Sequence, residues 1–219
     1  MKLAALVPLN SRAQAKTRLA GALAPQDRAE LARWLARRVL GALHKARIAH
    51  IAVVSPDDAV LRWARQNGAR AIRQRGSGLN AALDLGRAWA LRHDADALLV
   101  ALGDLPLLAA DDVAALISVA ETAPAPSVAL APDRADQGTN LLLLRPAMAI
   151  PFAFGAESLA RHSALARAAG IEPRIVQLPA AAFDVDTPAD LRELAERGLW
   201  APATYRRWSG EASGRQRYA

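Results

Sequence analysis

The sequence predicts an α/β protein built on a largely parallel sheet. Short apolar runs alternate with longer amphipathic stretches, the pattern that strand–helix–strand units produce. The run Ala97 to Leu102 is continuously apolar and closes on Gly103-Asp104-Leu105-Pro106, as a strand buried on both faces does. Leu31, Leu35, Val39 and Leu43 recur every fourth position and mark one face of a long helix.

The elements follow in order. Leu3 to Val7 is a buried first strand, and residues 8–18 form a polar, basic loop. Pro25 and Asp27 open the long helix, since proline suits the first helical position and an acid favours the first turn. Ile51 to Val54 is a second strand ended by Ser55-Pro56-Asp57, and the next helix stops at Asn67-Gly68. Ala69 to Ile72 is a third, weaker strand. Gly76-Ser77-Gly78 turns the chain into a helix over 79–92, which leads to the Ala97 to Leu102 strand. A helix over 110–121 and the turn Pro124 to Pro126 precede strands at Val128 to Ala131 and Leu141 to Leu144, with a polar loop from Asp133 to Gly138 between them. Phe152 to Gly155 is a loop, 157–169 a helix and Arg174 to Leu178 a strand; Pro188 starts the last helix after an acidic turn. One domain is expected over residues 1–200. The segment 201–219, with Arg206, Arg207, Arg215 and Arg217 against Glu211 alone, is expected to be a flexible basic tail.

Composition narrows the function. The 219 residues are 53% hydrophobic and 22% charged, a soluble globular balance. The absence of cysteine excludes disulfides, thiolate zinc sites and cysteine catalysis. No apolar stretch reaches the ~20 residues of a membrane span, and the N-terminus lacks a signal-peptide pattern, so a cytoplasmic protein without a membrane partner is expected. The net charge of +7 admits a nucleic-acid-binding protein, but the arginines are scattered over helix faces, as at Arg33, Arg37 and Arg38, and no basic run is interleaved with aromatics. No nucleic-acid partner is therefore expected.

The common nucleotide motifs fail. The loop after the first strand holds no glycine, so neither a dinucleotide fingerprint nor a Walker loop is present there. Gly76-Ser77-Gly78 follows the third strand instead, and Ala81 fills the third glycine position. The four histidines lack ligand spacing and read as surface or structural residues. A different constellation remains. The first-strand loop carries Arg12, Lys16 and Arg18, three cations at the carboxyl end of a parallel strand, where a polyphosphate could be neutralised. Asp104 sits directly after a buried strand, while Asp111 and Asp112 are better placed to cap the helix that follows. Asp184 and Asp186 alternate on an extended segment and so point the same way, with Thr187 or Asp186 available as the cap before Pro188. Such oxygen ligands, together with substrate phosphates, suit magnesium.

These segments occur in an order that resembles a known family. Pro8-Leu9, Ala15-Lys16-Thr17-Arg18-Leu19, Gly78-Leu79-Asn80, Gly103-Asp104-Leu105-Pro106, Ala131-Pro132-Asp133-Arg134, Gly138-Thr139-Asn140, Phe154-Gly155 with Ser158, and Asp184-Val185-Asp186-Thr187-Pro188 together resemble the phospholactate/phosphoenolpyruvate guanylyltransferases of coenzyme F420 biosynthesis. The aspartate segments are shared by many nucleotidyltransferases, whereas Gly-Thr-Asn followed by Phe-Gly-x-x-Ser is more particular. The resemblance spans residues 3–195. It implies a Rossmann-like nucleotidyltransferase fold of the glycosyltransferase-A type, with a mostly parallel mixed sheet flanked by helices. It implies GTP as a substrate, bound near Arg12, Lys16 and Arg18 and near Gly78, Leu79 and Asn80. Asp104, Asp184 and Asp186 would hold Mg2+, with Lys16, Asp104 and Asp186 catalytic. Thr139, Gly155 and Ser158, with Gly138 and Asn140 beside them, would hold a small phosphorylated acid. Ala135-Asp136-Gln137 departs from the glycine-rich loop of many relatives. A nucleotidyltransferase acting on a sugar phosphate or molybdopterin-type acceptor is the alternative, as is, from another class, a non-catalytic nucleic-acid-binding protein. The acceptor acid and the oligomeric state, a homodimer included, are left open.

Overall fold

The computed structural model describes residues 1–200; the tail expected over 201–219 lies outside the described residues. Seven strands form one sheet in the order β3-β2-β1-β4-β6-β5-β7. They are β1 (Leu3–Pro8), β2 (His50–Ser55), β3 (Arg70–Arg73), β4 (Ala97–Ala101), β5 (Ser127–Pro132), β6 (Thr139–Arg145) and β7 (Arg174–Ile175). The helices are α1 (Pro25–Lys45), α2 (Asp58–Gln66), α3 (Leu79–Leu91), α4 (Ala110–Thr122), α5 (Ser158–Ala168), α6 (Pro179–Ala182) and α7 (Pro188–Glu196). β6 runs antiparallel to both β4 and β5, and the other pairings are parallel, so the sheet is mixed but mostly parallel.

Period-two alternation splits the central strands between two cores. Ala5 and Val7 of β1 and Leu99 and Ala101 of β4 face one side, where α1, α2, α4 and α6 supply Val39, Leu43, Val60, Leu116 and Ala181. Ala4, Leu6, Leu98 and Val100 face the other side, against Leu83 and Trp89 of α3 and Ala166 of α5. Both faces are therefore covered, which is why β1 and β4 read as unbroken apolar runs. A third cluster joins Leu19, Leu23, Leu31 and Leu35 to Phe183, Val185, Leu191 and Leu194. It fixes the chain segment that carries Asp184 and Asp186.

Local chemistry ends the helices where expected. Pro25 opens α1, Asp57 caps α2 by accepting from the Ala59 N–H at 2.8 Å, and Thr187 caps α7. Asp112 serves α4, accepting from the Ala109 N–H at 2.9 Å. Three readings change. The basic loop after β1 contains two 3-10 turns, Arg12–Gln14 and Thr17–Leu19, which carry no apolar periodicity to announce them. Thr139 and Asn140 belong to β6, because the Leu102 N–H donates to the Asn140 carbonyl and prolongs the pairing with β4. The expected strand over 174–178 is only Arg174–Ile175; the Val176 N–H still donates to the Leu130 carbonyl, and Pro179 opens the short helix α6 three residues further on.

The order β2-β1-β4 places the reversal of winding between β1 and β4. Ligand crevices in open α/β sheets form at such a point, outside the carboxyl ends of the strands. The loops after β1 and β4 flank it. A Cβ on Gly103 would press on the Leu9 side chain, so glycine lets these two loops pass closely without moving it.

Candidate active site

At the carboxyl end of β4, Asp104 meets the segment that precedes α7. The Val185 N–H donates to the Asp104 carbonyl at 3.3 Å and docks that segment. Phe183 and Val185 point into the third core cluster, so the alternate residues Asp184 and Asp186 point back toward Asp104. One carboxylate oxygen from each of Asp104, Asp184 and Asp186 lies within 4.8 Å of the others.

A lysine is clasped between them. Lys16 Nζ lies 2.8 Å from Asp104 Oδ2 and 3.0 Å from Asp186 Oδ1. Its backbone is left-handed, at φ 49°, a conformation uncommon for a residue with a side chain and found more often at functional sites. Burial opposes the Lys16 charge, but the carboxylates of Asp104 and Asp186 outweigh it and the ammonium titrates above its ordinary value. Burial, reinforced by the charges of Asp104 and Asp186, pushes Asp184 up to about 6. Arg18 reaches Asp186 from the solvent side at 3.2 Å. Arg12 instead turns away to Asp57, in the loop after β2, with its backbone N–H at 3.0 Å and Nε at 3.4 Å from Oδ2.

The donor set fits a hard divalent cation. Asp104 Oδ1 is buried and has no hydrogen-bond partner, so its lone pairs are available. Three carboxylates within reach of one point carry more negative charge than one lysine offsets. Oxygen donors of this kind suit magnesium.

Two cavities meet at Gly103 and Asp104. One, of about 580 Å³, is lined by Asn10, Val54, Pro56, Gln74, Gly78 and Leu79 among others. The second, of about 300 Å³, lies against the basic loop and includes Arg12, Lys16, Arg18 and Arg33. Gly78 and Leu79 thus line the first cavity. Asn80 does not: its amide accepts from the Phe154 N–H at 2.8 Å and donates to the Phe154 carbonyl at 3.1 Å.

Thr139, Asn140 and Ser158 all lie buried on the far side of β4, but only Thr139 and Ser158 meet; the Asn140 side chain turns to α6 on the other face of the sheet. Ser158 Oγ accepts from the Thr139 N–H at 2.9 Å, and Asn140 Nδ2 donates to the Ala181 carbonyl at 2.9 Å. His162, absent from the expected site, completes the group. The Ala153 N–H donates to Nε2 at 3.0 Å, which assigns the ring proton to Nδ1 and makes Nδ1–H the donor to Thr139 Oγ1 at 3.0 Å. Burial lowers the His162 pKa to about 4, and Arg161 acts in the same direction. The reading of the histidines as surface or structural therefore holds for His162, but its contact with Thr139 could not be seen from spacing. Gly138 is packed against Asp133, whose Oδ1 accepts from the Ala135 and Gln137 N–H groups and shapes this loop. Gly155 has φ +123°, which side-chain-bearing residues rarely adopt.

The sheet order is a fold that solved nucleotidyl transferases and sugar transferases share. A nucleotidyl transferase from Methanothermobacter superposes with a TM-score of 0.64 over 90% of this chain and 98% of its own, at 16% identity. The chain belongs to the family described as guanylyl transferase CofC like, whose model matches residues 3–202. A phosphoenolpyruvate guanylyltransferase of Sphaerobacter thermophilus is 50% identical over 192 residues, covering 87% of this chain and 91% of its own. A 3-phospho-D-glycerate guanylyltransferase of Phenylobacterium zucineum is 38% identical over 186 residues, covering 83% and 84%. Among the described residues no helix is long and apolar enough to cross a membrane.

Proposed function

We propose that this protein transfers GMP from GTP to a small phosphorylated carboxylic acid and releases pyrophosphate, as a step of coenzyme F420 biosynthesis. The acceptor is phosphoenolpyruvate, 2-phospho-L-lactate or 3-phospho-D-glycerate. The observation that carries the reading is the convergence of Asp104, Asp184 and Asp186 on Lys16 at the mouth of the crevice, in a chain of this family.

A phosphate oxygen of the acceptor attacks the α-phosphorus in line. The new O–P bond forms as the bond to the bridging oxygen of pyrophosphate breaks, and the electron pair leaves with pyrophosphate. The nucleophile is already anionic, so no general base is needed and catalysis rests on positioning and charge. Asp104, Asp184 and Asp186 would hold Mg2+, which when bound supplies Lewis-acid neutralisation of phosphoryl oxygens. Lys16, with Arg18 and Arg12, would neutralise the charge on the leaving pyrophosphate. The nucleotide would occupy the cavity at Gly78 and Leu79. Gly138, Thr139, Asn140, Gly155 and Ser158 would form the acid's side, and the Thr139 hydroxyl keeps its own proton to donate because His162 supplies the one it accepts.

The test is pyrophosphate release with magnesium, crossing GTP, CTP and ATP with the three acids and with sugar phosphates. Release requiring GTP and one acid is the expected result. Release with sugar phosphates and none of the acids would replace this reading.

A further inference from the structure

We propose that Asn80 is a positioning residue that locks the acceptor loop, residues 152–155, to the nucleotide cavity; the proposal rests on the guanylyl-transfer reading. The sequence grouped Asn80 with its neighbours as a nucleotide contact. Its side chain does something else. The amide both accepts from the Phe154 N–H and donates to the Phe154 carbonyl, as the facing strand of a sheet would. The atoms that distinguish asparagine are thus turned to the loop and away from the cavity.

The consequence follows from what lies on either side. Phe154 precedes Gly155, whose backbone is held at φ +123°. Fixing both polar groups of Phe154 fixes the entry to that glycine. Arg87 is two helical turns along α3 from Asn80, hence on the same face, and its guanidinium lies 3.8 Å from the Phe152 ring centre. α5 grips the loop from the other side through His162, which bonds Ala153 and stacks edge-on against Phe154 at 4.7 Å. α3 itself begins in the nucleotide cavity, where Gly78, Leu79 and Ala82 line the wall. One helix start therefore touches the nucleotide region and carries the bridge to the acceptor loop.

The test compares wild type and Asn80→Ala in full steady-state kinetics, with GTP and the acid that the activity panel identifies. Two lost hydrogen bonds correspond to a rise in acid KM of roughly tenfold or more. The GTP KM stays within about twofold, because no nucleotide contact is removed, and the preference for GTP over ATP is kept. A rise confined to GTP, or a lost preference, would make Asn80 a nucleotide contact and overturn the proposal. Equal rises in both KM values, or no change in either, would overturn it as well. Should the alanine variant fail to fold, Asn80→Asp keeps the acceptor for the Phe154 N–H but sets a charged oxygen against the Phe154 carbonyl, so a rise in acid KM alone is expected and wild-type values would sink the idea. If wild-type protein turns over no nucleotide–acid pair, the functional reading fails first. Amide exchange at Phe154, which needs no substrate, then still tests the bridge: faster exchange in the alanine variant supports it, and unchanged exchange ends it.

Discussion

On one side of β4, Asp104, Asp184, Asp186 and Lys16 are part-buried and held by charge; on the other, Thr139, Asn140, Ser158 and His162 are buried, uncharged and held by hydrogen bonds. The first group has more ligating capacity than partners, as the orphaned Asp104 Oδ1 attests. The second has nearly every polar atom committed. Carboxylates that share one lysine and keep an unpaired oxygen remain free to exchange that partner. A site that must hold loop backbone in one geometry commits its side chains to that backbone, and the ligand meets what they have positioned. Substitutions should therefore cost turnover on the first side and stability on the second.

The largest effect is expected at Asp104→Asn. The variant keeps an acceptor for Lys16 but loses the charge, and kcat should fall by about 100-fold or more, the usual consequence of removing one electrostatic group from a preorganised site. The melting temperature should move little. A kcat within about threefold of wild type would remove this carboxylate from the chemistry and dissolve the contrast.

Ser158→Ala is the opposite case. It leaves the buried Thr139 N–H without an acceptor, which costs about 1–3 kcal/mol of stability. Acid affinity should weaken more than GTP affinity. A variant as stable as wild type by denaturant unfolding would show that Ser158 is free for ligand and that the far side is less committed than its hydrogen bonds imply.

Acid titration separates the two sides by sign. His162 falls to about 4 in the fold, from an ordinary value near 6.5, so the unfolded chain takes up its proton first. Its contribution is complete above about pH 6.5 and is lost as pH falls toward 4. Asp184, raised to about 6, behaves inversely: the fold prefers its protonated form, so its contribution is largest at low pH and disappears as pH rises through 6. In metal-free buffer, His162→Asn should flatten the loss of melting temperature between pH 6.5 and 4, and Asp184→Asn should steepen it. Parallel curves for wild type and His162→Asn would mean that the imidazole is not held neutral.

The same division decides what could be read from the sequence. Asp104 was legible because a carboxylate at the end of an apolar strand has few structural reasons to be there. Asp184 and Asp186 were legible because Phe183 and Val185 alternate with them, and period two is a local rule. Lys16 could be placed in the loop but not on the carboxylates, since that pairing spans 88 positions to Asp104 and 170 to Asp186. The bonds of Asn80 and His162 could not be foreseen because their partners are backbone groups of Phe154 and Ala153, and backbone atoms leave no mark in a residue pattern. Thr139 and Ser158 came from family resemblance alone. The sheet's parallel majority followed from strand–helix alternation, whereas the reversal of β6 needed knowledge of which strands it joins.

The smallest expected effect tests whether the charged side stands by itself. Thr187 caps α7, with Oγ1 accepting from the Asp190 N–H at 3.3 Å, while Asp190 Oδ2 accepts from the N–H groups of both Asp186 and Thr187 at 3.1 and 2.7 Å. Thr187→Ala removes the cap at a cost of about 1 kcal/mol. Asp190 still holds the Asp186 N–H, so Asp186 should keep its place and kcat should fall far less than in Asp104→Asn; Thr187→Ser should restore stability. If Thr187→Ala instead lost as much turnover as Asp104→Asn, the position of Asp186 would depend on the helix cap. The charged side would then be as dependent on its backbone scaffold as the acceptor side, and the difference between them would be one of charge alone.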